Sequence, residues 1–297
     1  KKLDFKNSNL YVTMEPCAHY GRTPPCTNII IKKKIKNVFF STNDLDSRTS
    51  LLGQKKLRKE KINVKLINKK NNGKNFYQSY FSYIKKTLPI LEGKIALSKD
   101  YYTINKKNKW ITNSYSRRRV HLLRSQYNEL ITTSKTVNKD NSMLNCRIEG
   151  MERKSPHLIV IDRYLKIKKR VQLFNIKNRK IYIVTSSNNK SKMDFLIKKG
   201  VKILRFDKLN TAKDYKKLFI YFNKVGISRI FVESGLKFMN FLIINKLINS
   251  IYVFKSYKNL RKDGKNNSWK KFIKRFKLKN KIKVNLFKDI LYKERII

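Results

Sequence analysis

Acidic residues are scarce in this chain. Only 19 Asp and Glu stand against 72 Lys and Arg in 297 residues, a formal net charge of +53. Such an imbalance raises nucleic acid or an anionic membrane as a partner, through neutralisation of phosphates. The excess is not gathered on one face or tail, where a nucleic-acid binder concentrates it. It recurs at Lys32–Lys34, Lys55–Lys61, Lys106–Lys109, Lys168–Arg170 and Lys270–Lys283. Lys, Asn, Ile, Phe and Tyr, all with AT-rich codons, are enriched together, so compositional bias accounts for the charge. Some electrostatic steering of phosphorylated ligands follows in either case.

Long apolar runs are missing too. No stretch of eighteen apolar residues is present, which excludes a transmembrane helix, and the start carries no signal-peptide pattern. Three cysteines (Cys17, Cys26, Cys146) are too few for a disulfide framework and fit a reducing, cytoplasmic setting. Neither internal repeats nor a long low-complexity segment occurs. What is present is an apolar share of 40% over a length sufficient for two packed domains.

Apolar periodicity gives the organisation. Leu10–Thr13 reads as a strand, Ile29–Ile35 as a helix, Val38–Ser41 as a buried strand, Leu51–Lys61 as a helix and Ile62–Ile67 as a half-buried strand. Asn68–Lys74 is the most polar stretch of the first third. Phe76–Lys86 then carries Phe76, Tyr77, Tyr80, Phe81 and Ile84 at helical spacing, which reads as core. A boundary near Thr87-Leu88-Pro89 divides the chain into residues 1–86 and 87–297. Beyond it, strands are expected near Gly93–Ser98, Glu129–Ser134, His157–Asp162, Lys180–Thr185, Val201–Phe206, Arg229–Glu233 and Ser250–Phe254. Helices are expected near Ser116–Arg124, Lys192–Lys199, Lys213–Lys224 and Leu236–Leu247, with a strand or two closing the sheet in Ser268–Ile297. Strands alternating with helices predict an α/β layer on a partly parallel sheet.

Chemistry is densest at Glu15-Pro16-Cys17-Ala18-His19-Tyr20-Gly21-Arg22-Thr23-Pro24-Pro25-Cys26. Pro24-Pro25 places Cys26 near a helix start, where free amides and the helix dipole favour a thiolate. Two such thiolates are half of a zinc site, although a cysteine pair alone reads equally as two buried thiols. The whole run resembles the E-P-C-[SA]-H-x-G-R-T-P-P-C motif of the bifunctional deaminase–reductase family of riboflavin biosynthesis. In that family, as in zinc deaminases generally, an upstream H-x-E supplies an imidazole ligand and the proton-shuttling Glu. The sixteen residues before Cys17 contain no His and begin with Lys1, so an N-terminally incomplete copy is expected, with Cys17 and Cys26 as the zinc ligands that remain.

Four later fragments resemble the reductase half of the same family. Lys109-Trp110-Ile111-Thr112 followed by Arg117–Arg124 resembles W-I-T … A-R-R-x-V-x-x-L-R. Thr136-Val137-Asn138-Lys139-Asp140, Leu144 and Arg147 resemble T-V-x-x-D-[DN]-P-x-L-[NT]-x-R, and Val232-Glu233-Ser234-Gly235 resembles V-E-[GA]-G. The resemblance implies a truncated cytidine-deaminase-like α/β/α domain followed by a dihydrofolate-reductase-like α/β domain. It implies NADPH against Ala96, Trp110, Thr136, Asp140 and Gly235. A phosphorylated pyrimidine substrate is implied against Asn108, Arg124, Leu144, Arg147 and Glu233. Ser234-Gly235 at a strand-to-helix junction suits a dinucleotide phosphate on the first helix amides, and Arg124 and Arg147 each suit bidentate phosphate binding. Taken singly, Trp110 reads as a core aromatic, Asp140 as a turn residue and the arginines as solvated helix faces; it is their order that makes a site.

Departures accompany the match. The family's S-L-D-G is Ser98-Lys99-Asp100-Tyr101 here, Asn108 replaces a Ser, Ser142 replaces a Pro, and Cys146 takes an apolar position. His121 and His157 have no carboxylate or cysteine at ligand spacing and read as structural. The expected function is zinc-dependent deamination of a ribosylaminopyrimidinone phosphate followed by NADPH-dependent reduction of its ribose, with the reductase the competent half, in a cytoplasmic homo-oligomer with no specific nucleic acid or membrane partner. The competing reading is a nucleic-acid-associated deaminase or Lys-rich binder, which has no use for W-I-T, R-R-x-V and V-E-x-G in this order.

Overall fold

Short runs of β-branched and aromatic residues, separated by lysine-rich amphipathic segments, set up two sheets. A computed structural model describes residues 5–67, 73, 76–176, 179–268, 273 and 278–297. Most of the polar stretch 68–74 and much of the basic run 270–283 lie outside the described residues. The chain divides into two compact units, Lys1–Thr87 and Leu88–Ile297.

The first unit holds three parallel strands in the order β1 (Asn9–Val12), β2 (Asn37–Phe40), β3 (Asn63–Leu66), with Leu10 opposite Val38 and Val38 opposite Val64. Helices α1 (Cys26–Lys32) and α2 (Leu52–Lys59) connect them, as parallel strands require a crossover. Ile30, Val38, Phe40, Leu57, Ile62 and Val64 form its core. Helix α3 (Gln78–Ile84) corrects one expectation: its aromatics are not core. Phe76 is 76% exposed, and Ser82 is the buried residue of the helix. Tyr77, Tyr80 and Phe81 meet one another in edge-on and tilted contacts instead, and Tyr80 donates its hydroxyl to Asp44.

The second unit carries an eight-stranded sheet. It comprises β4 (Ile90–Leu97), β6 (Glu129–Thr133), β7 (His157–Ile161), β8 (Ile181–Thr185), β9 (Val201–Arg205), β10 (Arg229–Glu233), β11 (Ser250–Lys255) and β13 (Ile290–Arg295). Their order is β13-β11-β4-β10-β6-β7-β8-β9, parallel throughout except for β13, the expected closing strand at the edge. A separate antiparallel pair joins β5 (Tyr102–Asn105) to β12 (Gly264–Asn267).

Both faces are covered, which is why the strands read as nearly unbroken apolar runs. On one face Ile230 and Val232 pack with Leu218, Phe219 and Phe222 of α7 (Ala212–Lys224) and Met239 and Leu242 of α8 (Leu236–Ile244). The other face sets Phe231 with Val120 and Leu123 of α4 (Ser114–Arg124), Val137 of α5 (Ser134–Asp140) and Leu196 of α6 (Lys190–Lys198). Truncating a fully buried ring such as Phe219 to Ala costs about 3–5 kcal/mol. Gly93 fixes the seat of α8: a Cβ there would lie 2.7 Å from Ile248 Cδ1 and 2.8 Å from Met239 Sδ. Among the described residues no helix is long and apolar enough to cross a membrane.

Strand β10 positions the site. The chain leaves β4, builds β6 through β9 to one side, then returns with β10 between β4 and β6 before placing β11 on the other side. Such a reversal opens a crevice at the carboxyl ends of the strands, where α/β sheets bind ligands.

Candidate functional site

At that crevice Glu233 ends β10 beside Lys94 of β4, its register partner. Glu233 is buried, and a buried carboxylate must be paired. Arg124, from the last turn of α4, supplies the pairing with Nε on Oε1 at 2.5 Å and Nη2 on Oε2 at 3.0 Å. Lys94 Nζ stands 3.8 Å from Oε2. Burial alone would raise the Glu233 carboxyl, but the charges of Arg124 and Lys94 hold it below its ordinary value. Lys94 is pushed down by burial against the pull of Glu233, with Arg124 adding to the depression and Asp140 opposing it.

This geometry reassigns Arg124. Its fork was expected to hold a phosphate, yet both fork nitrogens on that edge go to Glu233 and Nη1 goes to Asn145 O at 3.0 Å. The reason is its burial, at 8% exposure: the guanidinium takes the carboxylate and carbonyl that share its pocket. Arg147 lies on the exposed loop after α5 and makes no ion pair among the described residues. Its Nη2 is 3.3 Å from His121 Nε2, and His121 Nδ1 is 2.9 Å from Asn145 O. The same loop is anchored from below by Arg179, whose Nη1 and Nη2 donate to Met143 O (2.6 Å) and Leu144 O (3.0 Å). Leu144, expected at the substrate, is buried in the core at φ +51°.

The nucleotide side centres on Gly235. This residue opens α8, its N–H donates to Thr136 Oγ1 at 3.1 Å, and Thr136 Oγ1 in turn meets Thr133 Oγ1 at 3.0 Å. Whereas Asn113 caps α4 and Thr211 caps α7 with their side chains, α8 has neither a side-chain cap nor an acid in its first turn. The first amides of α8 therefore stay free for an anion. The buried Ser234 Oγ next to them has no hydrogen-bond partner among the described residues. A Cβ on Gly235 would come no nearer than 3.8 Å to Thr136 Oγ1, so the absent side chain leaves room. An orphaned hydroxyl, free amides and an open approach fit a dinucleotide phosphate.

The remaining expected residues are placed less closely. Ala96 sits part-buried on β4, opposite Phe254. Asp140 closes α5 at the surface. Trp110 is not a core ring: it is 48% exposed, with the Arg117 guanidinium 4.7 Å and the Lys109 ammonium 5.4 Å from its centroid. Asn108 lies on an exposed turn capped through its N–H by Asn105 Oδ1, and its side chain makes no hydrogen bond to the others among the described residues. Tyr101, where the family carries glycine, adopts φ +68°, with Lys255 Nζ 4.3 Å from its ring centroid and 3.0 Å from its hydroxyl. Sequence reasoning passed over Lys94 and read His121 as structural. A charged residue midway along the apolar ILEGKIAL was the available signal for the first.

The cysteine loop of the first unit behaves differently. Cys26 opens α1 and its backbone N–H donates to Cys17 Sγ at 3.3 Å, so the two cysteines are neighbours. Partial desolvation, then the hydrogen bond and charge of Cys17, push the Cys26 thiol up rather than down. His19 Nδ1 pairs with Thr49 Oγ1 at 2.9 Å, and buried Glu15 accepts from the N–H groups of Leu51 (3.2 Å) and Gln54 (3.4 Å). Among the described residues no third His, Cys, Asp or Glu joins the cysteines, so these residues do not complete a zinc site.

Residues 94–256 match the RibD C-terminal domain family. The riboflavin biosynthesis protein RibD of Aquifex aeolicus is 32% identical over 251 residues, covering 84% of this chain and 69% of that protein. In fold, Acinetobacter baumannii RibD superposes with a TM-score of 0.79 at 22% identity, covering 98% of this chain and 81% of its own. A diaminohydroxyphosphoribosylaminopyrimidine deaminase/5-amino-6-(5-phosphoribosylamino)uracil reductase from Thermotoga maritima gives 0.78 at 23% identity, covering 99% and 81%.

Proposed function

The chain belongs to the RibD family of riboflavin biosynthesis proteins, with a reductase-like second unit of dihydrofolate-reductase-like α/β fold, and on that premise we propose that it reduces 5-amino-6-(5-phosphoribosylamino)uracil to the ribitylamino product with NADPH. NADPH supplies the hydride; the protein supplies position and charge. The free α8 amides with Ser234 and Thr136 would hold the dinucleotide phosphates, and Ala96, Trp110 and Asp140 would line the same side. Arg147 would grip the substrate's phosphate. Arg124 acts one step back, fixing Glu233 in its ionised form as an acceptor for substrate hydroxyl or amine groups. Asn108 and Leu144 would contribute through the loops that carry them.

One observation carries this reading. A partnered, ionised Glu233 stands two residues from an uncapped helix start at the point where the strand order reverses. Loss of NADPH absorbance on adding the phosphorylated substrate, with NADH a markedly poorer donor, is the expected result. No NADPH oxidation by a folded, cofactor-binding protein would refute it.

Cys17 and Cys26 lack a third zinc ligand among the described residues, so zinc-dependent deamination is not part of the proposed activity. The proposed activity of this 297-residue chain is the reduction. It is expected to act on a small phosphorylated pyrimidine, as a cytoplasmic homo-oligomer, without specific nucleic-acid binding. Binding to mixed RNA that survives physiological salt would favour the nucleic-acid reading instead.

A further inference from the structure

His121 touches neither proposed ligand, yet its two ring nitrogens face Asn145 O, which also holds Arg124, and the guanidinium of Arg147. Nδ1 is 2.9 Å from Asn145 O and Nε2 is 3.3 Å from Arg147 Nη2. A guanidinium only donates, so Nε2 must carry the lone pair. Nδ1 then bears the proton and donates to Asn145 O. One tautomer of the neutral ring satisfies both contacts. The opposite tautomer would accept the Arg147 backbone N–H, 3.2 Å from Nδ1, and forfeit both of them.

The surroundings hold the ring in that state. Burial first, then the charge of Arg124 one turn along α4, push the imidazole down to about 4; Arg147 from the loop adds to this, while the Asn145 carbonyl and Glu233 from β10 oppose it. Asn145 O also receives Arg124 Nη1, so a single carbonyl ties the loop to the Arg124–Glu233 pair two residues before Arg147. Arg147 thus rests one Nη on an uncharged acceptor and, among the described residues, keeps its other side-chain donors and its full charge uncommitted. A carboxylate in that place would bind the guanidinium as Glu233 binds Arg124 and withdraw it from an anion.

We propose that His121 is the positioning residue that aims Arg147 at the phosphate of the substrate, using a neutral imidazole as a seat that orients the guanidinium without neutralising it. The inference rests on the reading of Arg147 as the phosphate ligand. Steady-state kinetics with the phosphorylated substrate and its dephosphorylated analogue separate the two. His121→Leu should raise KM for the phosphorylated substrate about three- to tenfold, the share of one hydrogen bond, with kcat and NADPH affinity unchanged and little effect on the analogue. His121→Gln, whose amide oxygen can replace Nε2 as acceptor, should recover most of that loss. The double variant His121→Leu/Arg147→Ala should be no worse than Arg147→Ala alone, because the two residues act in series. Should Arg147→Ala raise KM while His121→Leu behaves as wild type, His121 has no positioning role. Equal losses for both substrates, or full additivity in the double variant, would mark His121 as merely structural and overturn the proposal. No effect of Arg147→Ala on either substrate would remove the reading of Arg147 itself, and the inference with it.

Discussion

Two buried carboxylates, one in each unit, show what separates a motif from a site. Glu15 opens the longest motif in the sequence, yet in the structure it serves the backbone, accepting from the N–H groups of Leu51 and Gln54. Glu233 belongs to a fragment of only four residues, and it is held by two cations at the mouth of a crevice. Backbone amides satisfy a carboxylate locally and leave nothing around it poised to act. Side-chain cations, brought from α4 and β4, hold it charged beside an open helix start. Glu129 completes the comparison as the buried carboxylate with least support. It is 7% exposed, and its Oε2 has no hydrogen-bond partner among the described residues.

The largest expected effect comes from breaking the Glu233 pairing. Arg124→Leu leaves that carboxylate buried with only Lys94 at 3.8 Å, and should cost about 3–5 kcal/mol in denaturant unfolding, with loss of reduction. A loss under 1 kcal/mol would mean that Glu233 is no better committed than Glu15. Next in size, Arg147→Ala should lower kcat/KM for the phosphorylated substrate by about 1.5–3 kcal/mol in transition-state terms while leaving stability nearly unchanged. Lys32→Ala, in a basic run with no assigned role, is the matched control.

The third test turns on pH. Burial pushes the Glu129 carboxyl up to about 7, against the opposing charges of Lys180 and Arg179. The folded chain therefore keeps a proton that the unfolded chain releases above about 4.5. The stability this contributes is full below that value and is lost as pH rises through 7. Glu129→Gln, which imitates the protonated form, should raise Tm at pH 8 by a few degrees and leave it unchanged at pH 5. Glu92 has the opposite sign. Burial would raise it, but Lys293 and Arg229 hold it at about 2. Its contribution is present above about 4.5 and fades as pH falls towards 2, so Glu92→Gln should be most damaging near neutrality. A Glu129→Gln benefit independent of pH would refute the contrast.

The smallest effect is expected at the cysteines. Cys17→Ser and Cys26→Ser should each shift stability by no more than about 0.5 kcal/mol, and a chelator should leave NADPH oxidation unchanged. Tight stoichiometric zinc uptake by calorimetry would reverse the comparison between the units.

Much of the second unit was legible because its strands are apolar runs that parallel pairing demands; Arg229–Glu233 falls on its observed bounds. Helix α4 starts two residues early because Asn113 caps it, a signal present in the sequence. The pair β5–β12 was not legible: Tyr102–Asn105 is short and half-buried, and its partner lies far along the chain. Motif order pointed to Arg124, Thr136, Glu233 and Gly235, and the structure pairs Arg124 with Glu233 and Thr136 with Gly235. It could not show that Arg124 is spent on Glu233, or that His121 faces Arg147, since both facts arise from contacts across the fold. The aromatics of α3 misled for the same reason: helical spacing indicates a shared face but not what covers it.

The return of β10 between β4 and β6 has a consequence for how the chain folds. Its partners are made roughly 140 and 100 positions earlier, so the strand between them is supplied only after β6 to β9 on one side are complete. Until Glu233 has been synthesised, β4 and β6 present open edges to one another and to other chains, a state prone to wrong pairing. High-separation pairing of this kind also slows folding. The crevice beside Glu233 is therefore absent from every shorter nascent chain, and the strand that creates it is the one that joins β4 to β6.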